Sequence, residues 1–178
     1  MANALESRPE TQRTEVSSFT VHVLDPRNDF FSFERLAEIG RKYYRQREEQ
    51  GRLLTDLRRP LSAVVLLGDP TWHLIGYAYA ECDILNENAT VRECAVDPDI
   101  QETGAVERLI TELEKDLLKR GISKMQGFFT TENRYADRVA KLYPERLLED
   151  RQEGVDRFLR INLSSQPSNV IPFPVRAA

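Results

Sequence analysis

The helix spelled by Val106, Leu109, Ile110, Leu113 and Leu117 constrains this chain more than any other feature. These apolar residues fall at i, i+3, i+4, i+7 and i+11, so they line one helical face. Lys119 and Arg120 complement the dipole at its C-terminal end, and Gly121 suits the position just past it. A strand-like run, Ala89 to Val96, precedes the helix, and another, Lys124 to Thr130, follows it. The helix is therefore a crossover inside a mixed α/β pattern.

The flanking segments extend that pattern. Phe19 to Leu24 is β-rich and stops at Asp25-Pro26. Ser32 can cap a helix in which Phe33, Leu36, Ala37, Gly40, Tyr43 and Tyr44 share a face. Gly51 to Arg59 is a charged connection with room for a short helix. Ser62 to Leu67 is an apolar strand, and His73 to Asp83 pairs with Ala89 to Val96 as a hairpin around Asn86-Glu87-Asn88. After Thr130, Arg134 to Tyr143 reads as a helix halted near Pro144. Leu147 to Arg151 and Val155 to Leu163 form a closing pair around Glu153-Gly154.

The 178 residues suit one domain, expected over 19–163. Residues 1–18 are expected to form a flexible polar lead, and 164–178 a tail containing Pro167, Pro172 and Pro174. The net charge of −4 gives no global argument for nucleic acid or an anionic membrane as partner. No apolar run reaches the roughly 18–20 residues of a membrane span, and the polar N-terminus has no signal-peptide core. A cytoplasmic location is expected. Cys82 and Cys94 lack metal-like spacing and read as buried, reduced thiols, and no metal is expected.

Chemistry is concentrated where a strand meets the crossover helix, at Ala95-Val96-Asp97-Pro98-Asp99-Ile100-Gln101-Glu102-Thr103-Gly104-Ala105-Val106. A helix N-terminus presents unpaired N–H groups and partial positive charge, a cradle for phosphate. The stretch resembles the pyrophosphate loop of the GNAT superfamily of N-acetyltransferases, Gln/Arg-x-x-Gly-x-Gly/Ala, through Gln101 and Gly104. Gly76-Tyr77-Ala78, Ala95-Val96-Asp97-Pro98, Asn133 and Leu142-Tyr143 fall in the same order as in that family, over roughly Phe19 to Leu163.

The resemblance implies an α/β (α+β) single domain: a mixed, mostly antiparallel GNAT-like sheet flanked by helices. It implies acetyl-CoA, or another acyl-CoA, as co-substrate. The backbone at Ala95 and Val96 would orient the acyl group, Gln101, Glu102, Thr103, Gly104, Ala105 and Val106 would hold the pyrophosphate, and Asn133 would complete the pattern. Tyr143 would protonate the departing thiolate, although Leu142-Tyr143 stands about three residues later than the family usually has it. Two departures weaken the cradle. Val106, β-branched, is expected to narrow its last position, and Glu102 and Glu107 oppose an anion. A plain strand-to-helix corner remains an equally open reading of these residues.

Acetyl transfer to an amine also needs a base. Glu93 and Glu81 are the nearest carboxylates in strand context, and period-two alternation predicts that Glu93 shares a face with Val91 and Ala95. His22 and His73 read as structural. Arg41, Lys42, Arg45, Arg47, Arg52, Arg58 and Arg59, against Glu48, Glu49 and Asp56, make a basic segment that is either an acceptor lip or a solvated face. The expected partner is an amine-bearing small molecule or protein, and a homodimer is one option left open. The alternative is a non-catalytic GNAT-like binding or regulatory module.

Overall fold

In the computed structural model, residues 19–24, 42, 55–56, 59, 61–71, 73–97, 100, 104–130 and 134–164 are described. Within them the chain alternates as the apolar patterning requires. The strands are β1 (Thr20–Leu24), β2 (Ser62–Gly68), β3 (Leu74–Asp83), β4 (Asn88–Val96), β5 (Lys124–Thr130), β6 (Leu147–Glu153) and β7 (Asp156–Asn162). The helices are α1 (Ala105–Lys119), between β4 and β5, and α2 (Tyr135–Leu142), between β5 and β6. The expected helix from Ser32 and the lead before Phe19 lie outside the described residues, as does the tail beyond Ser164.

One seven-stranded sheet results, in the order β1-β2-β3-β4-β5-β7-β6. Every neighbouring pair is antiparallel except β4 and β5, which run parallel because α1 carries the chain back across the sheet. β2 is buried at every residue, as its unbroken Ala-Val-Val-Leu-Leu run demands of a strand covered on both faces.

The helices cover one face. Val106, Leu109, Ile110, Leu113 and Leu117 of α1 are fully buried against Val65, Leu67, Ala78, Ala80 and Val91. Each such side chain contributes about 1.5–3 kcal/mol of gross burial. Ile122 N–H closes the end of α1 on Leu117 O at 3.0 Å. On the opposite face Leu24, Val64, Leu66, Leu74, Tyr77 and Tyr79 form a second cluster, against which Ala95 packs.

One irregularity corrects the expected alternation. Tyr79 pairs with Glu93 and Ala80 with Val91, so Arg92 is an extra residue in β4. A bulge of one residue inverts the side-chain phase beyond it. Ala89 and Val91 face the helices, and beyond the bulge so do Cys94 and Val96. Glu93 therefore shares a face with Ala95 as expected, but not with Val91; it lies with Tyr77 and Tyr79 on the other side.

Candidate active site

The sheet opens where β4 and β5 part. Their ladder runs from Asn88↔Lys124 to Val91↔Gly127. Beyond it, Glu93–Val96 remain paired to β3, and Phe128–Thr130 to β7. Gly127 permits the last rung: a Cβ there would lie 2.9 Å from Val91 O and 3.1 Å from Val91 Cβ, so a larger residue would push the strands apart. A cleft of about 430 Å³ fills the opening, lined by Tyr77, Val91, Arg92, Glu93, Cys94, Ala95, Phe128, Phe129, Tyr135 and Asp156.

Pairing in the sheet sorts these residues by face. Glu93 and Ala95 stand opposite Tyr79 and Tyr77, and Phe128 stands opposite Phe158, all on the side away from the helices. Cys94 and Phe129 turn to the helix side. The cleft thus passes through the plane of the sheet.

Glu93 is half-buried, and the buried Tyr77 hydroxyl donates a hydrogen bond to its Oε2. Glu81, the other candidate base, is committed elsewhere. Arg92 binds its Oε2 through Nε at 2.7 Å and a terminal nitrogen at 2.6 Å, and Arg59 reaches Oε1 at 3.3 Å. The Arg92 hydrogen bond is the main reason its carboxyl sits below the usual range. Burial pushes the Cys94 thiol up to about 12, so it is not a nucleophile at neutral pH.

At the start of α1, Gly104 is the N-cap with φ of 85°, a left-handed conformation that glycine adopts without a steric penalty. The space a Cβ would take there is open. Arg108 N–H closes the first helical bond on Gly104 O at 3.0 Å, and no side chain caps the helix. Val106 is fully buried in the core, so its branched side chain does not narrow the cradle as expected. Glu107 is also less adverse than its charge suggests. Arg138 of α2 grips both carboxylate oxygens, with Nε to Oε1 at 2.6 Å. Burial raises its pKa, but the Arg138 hydrogen bond and its own N–H prevail and hold it below the usual range. Gln101, Glu102, Thr103 and Asn133 lie outside the described residues.

Tyr143 does not line the cleft with Glu93. It is buried behind α1, where its hydroxyl donates to Glu114 Oε2 at 2.9 Å. Arg146 holds Glu114 Oε1 at 2.6 Å and lies over the Tyr143 ring at 4.6 Å. Burial, then the Glu114 charge, pushes the phenol far above its ordinary range. Glu114 is ten positions past Gly104, about 15 Å along the helix.

Tyr135, which sequence reasoning missed, does line the cleft, from the first position of α2. Its one sequence signal is an aromatic ring two residues after Asn133. Of the basic segment, Lys42 binds Asp97 at 2.8 Å, and Arg59 binds Asp56 at 2.8 Å. The remaining cations named there lie outside the described residues. No group of three or more metal-binding side chains occurs among the described residues, and no helix there is long and apolar enough to cross a membrane.

No protein family matches the chain by sequence, and no curated protein does. Solved structures do match its architecture. The ribosomal-protein-S18-alanine N-acetyltransferase of Escherichia coli aligns over 86% of this chain and 99% of its own, with a TM-score of 0.57 and 17% identity. Spermidine N-acetyltransferase of Vibrio cholerae aligns over 82% of this chain and 94% of its own, with a TM-score of 0.56 and 14% identity. The PaiA N-acetyltransferase of Thermoplasma acidophilum, in complex with coenzyme A, aligns over 82% and 99%, with a TM-score of 0.51 and 13% identity. Strand order, crossover helix and the parted β4 and β5 agree with these likenesses: the chain has the fold of the GNAT N-acetyltransferases.

Proposed function

We propose that this protein is an acyl-CoA-dependent N-acyltransferase that moves an acetyl or other acyl group to an amine. The observation that carries the reading is the parting of β4 and β5 after Val91↔Gly127 around a cleft that holds a carboxylate, Glu93. A thioester supplies the activated acyl group in such a reaction. In this reading the strand edge at Ala95 and Val96 orients the acyl arm. The amides at Gly104, Ala105 and Val106, with Gln101, Glu102 and Thr103 before them, hold the pyrophosphate.

Residues of this chain then do the proton work. An alkylammonium has a pKa near that of lysine, about 10.4, so a base must free its lone pair. Glu93 accepts that proton and passes it to solvent, with the Tyr77 hydroxyl fixing the carboxylate. The amine lone pair forms the new C–N bond at the thioester carbonyl. The C–S bond breaks, and sulfur leaves with its electron pair. Tyr135 provides the proton for that sulfur, the role the sequence suggested for Tyr143, whose hydroxyl is directed at Glu114 instead.

The engagement of Tyr143 also favours a second reading, a GNAT-like module that binds acyl-CoA or a partner without turnover. Calorimetry with coenzyme A and acetyl-CoA, followed by thiol release with a panel of amines, separates the two. Saturable binding with thiol release supports the transferase. Saturable binding with no release from any amine supports the module. Absence of binding at millimolar ligand contradicts the transferase.

A further inference from the structure

The helix that presents Tyr135 to the cleft is weakly held by its own sequence. α2 has eight residues, and isolated helices shorter than about 12–15 residues are marginal in water. Of its side chains, Tyr135, Ala136 and Val139 are buried. No side chain caps its start, and the N-cap Arg134 takes a left-handed φ of 58°, a conformation uncommon outside glycine. Tyr135 follows at once, so whatever fixes the first turn of α2 also fixes its phenol.

Two guanidiniums supply that hold. Arg138 of α2 grips both oxygens of Glu107 in the first turn of α1, with Nε to Oε1 at 2.6 Å. Arg157 reaches α2 from β7, where it stands opposite Phe129 of the cleft wall. Its Nη1 donates to Asp137 Oδ1 at 2.7 Å, while its Nε and Nη2 bind both oxygens of Asp150 on β6. The planar fork, fixed by Asp150, has a set direction toward Asp137. Asp137 also lies 4.0 Å from the exposed Arg134, a contact of little weight. The first turn of α2 is thereby tied to the cradle through Glu107 and to the strands beside the cleft through Arg157. Resting on the transferase reading, we propose that Arg138 and Arg157 are positioning residues: they hold the Tyr135 hydroxyl where the departing sulfur takes its proton. Neither touches the reacting atoms. A displacement of about 1 Å in such a group can cost about 10²-fold in rate.

The test uses the full chain with acetyl-CoA and three amines: spermidine, phenethylamine and an alanyl peptide. Acetyl-CoA binding is measured by calorimetry. At saturating acetyl-CoA, kcat is read from thiol release with the amine that turns over fastest. Arg157→Met and Arg138→Met should each lower kcat about tenfold. Arg157→Met should leave the acetyl-CoA Kd within about twofold, whereas Arg138→Met weakens binding, because Glu107 is then unpaired beside the cradle. Arg157→Lys, which keeps the charge without the fork, should fall between. Asp137→Ala removes the α2 end of the Arg157 link and gives the same reading should Arg157→Met fail to fold. The double mutants supply the readout that a merely structural role would not move. In a Tyr135→Phe background these changes should lower kcat by less than about a further twofold. Unchanged kcat in either methionine variant overturns the role of that arginine. Losses of equal size in both backgrounds overturn the proposal, as does a Tyr135→Phe variant that turns over normally. Failure of acetyl-CoA to bind, or binding without thiol release from any amine, overturns the transferase reading itself and this proposal with it.

Discussion

β4 and β5 behave as two different pairs of strands along their length. From Asn88↔Lys124 to Val91↔Gly127 they are bonded, and Ala89, Val91 and Met125 are buried beneath α1. One residue later the same strands part and their side chains line a cleft. Charge enters β4 at that point with Arg92 and Glu93, while Cys94, Ala95, Val96, Phe128 and Phe129 stay apolar. Geometry changes there as well. The extra residue Arg92 turns and re-phases β4, while Gly127 lets the last rung close tightly before the opening begins. The bulge thus turns Glu93 toward the outer face, where it lines the cleft.

The sharpest way to break this comparison is to remove the carboxylate from the open half. Glu93→Gln should lower turnover by about 10²–10⁴-fold and leave acetyl-CoA affinity within a few-fold, as stopped assays and calorimetry would read. A loss of binding with turnover retained would assign Glu93 to the cradle instead. The matching change in the closed half is Gly127→Val. Its methyls would meet Val91 O and Cβ, so thermal or urea unfolding should show a loss of about 3 kcal/mol. If stability survives, the last rung is not tight and the boundary between the two halves lies elsewhere.

Smaller effects separate the cradle from the core behind it. Glu107→Gln should cost about 1–2 kcal/mol, because a half-buried bidentate pair with Arg138 is lost. The carboxyl of Glu107 is held below its ordinary 4.5 in the folded state. Its contribution is therefore complete above that pH and lost as pH falls through the folded value. The variant should flatten that part of the acid limb of a stability profile. Tyr143→Phe removes one hydrogen bond to Glu114 and should cost about 1 kcal/mol, with turnover changed less than twofold. Tyr135→Phe should do the reverse: slow turnover with little loss of stability. An exchange of these two outcomes would return the proton donor to Tyr143.

Much of this was legible in the sequence. β2, β3, β4, β5 and α1 were readable from their apolar patterning and flanking turn residues, and their boundaries shift by only a residue or two. The break between β6 and β7 at Gly154 was equally plain. The face of Glu93 was not legible, because the bulge at Arg92 has no glycine or proline to mark it, and alternation carried past an extra residue gives the wrong side. The Tyr143 site was hidden for another reason. Its partner Glu114 is 29 residues away, and only the packing of α2 against α1 brings them together. Val106 misled through its family position, since its burial depends on how α1 sits on the sheet.

The central claim is that the parted strands and the start of α1 form one acyl-CoA site. Backbone amide NMR during an acetyl-CoA titration tests it most directly. The account predicts saturable shifts concentrated at Arg92–Val96, Phe128–Thr130 and Gly104–Glu107, with Asn88–Val91 and Lys124–Gly127 little changed. Uniform shifts, shifts confined to other strands, or none at millimolar ligand would contradict it.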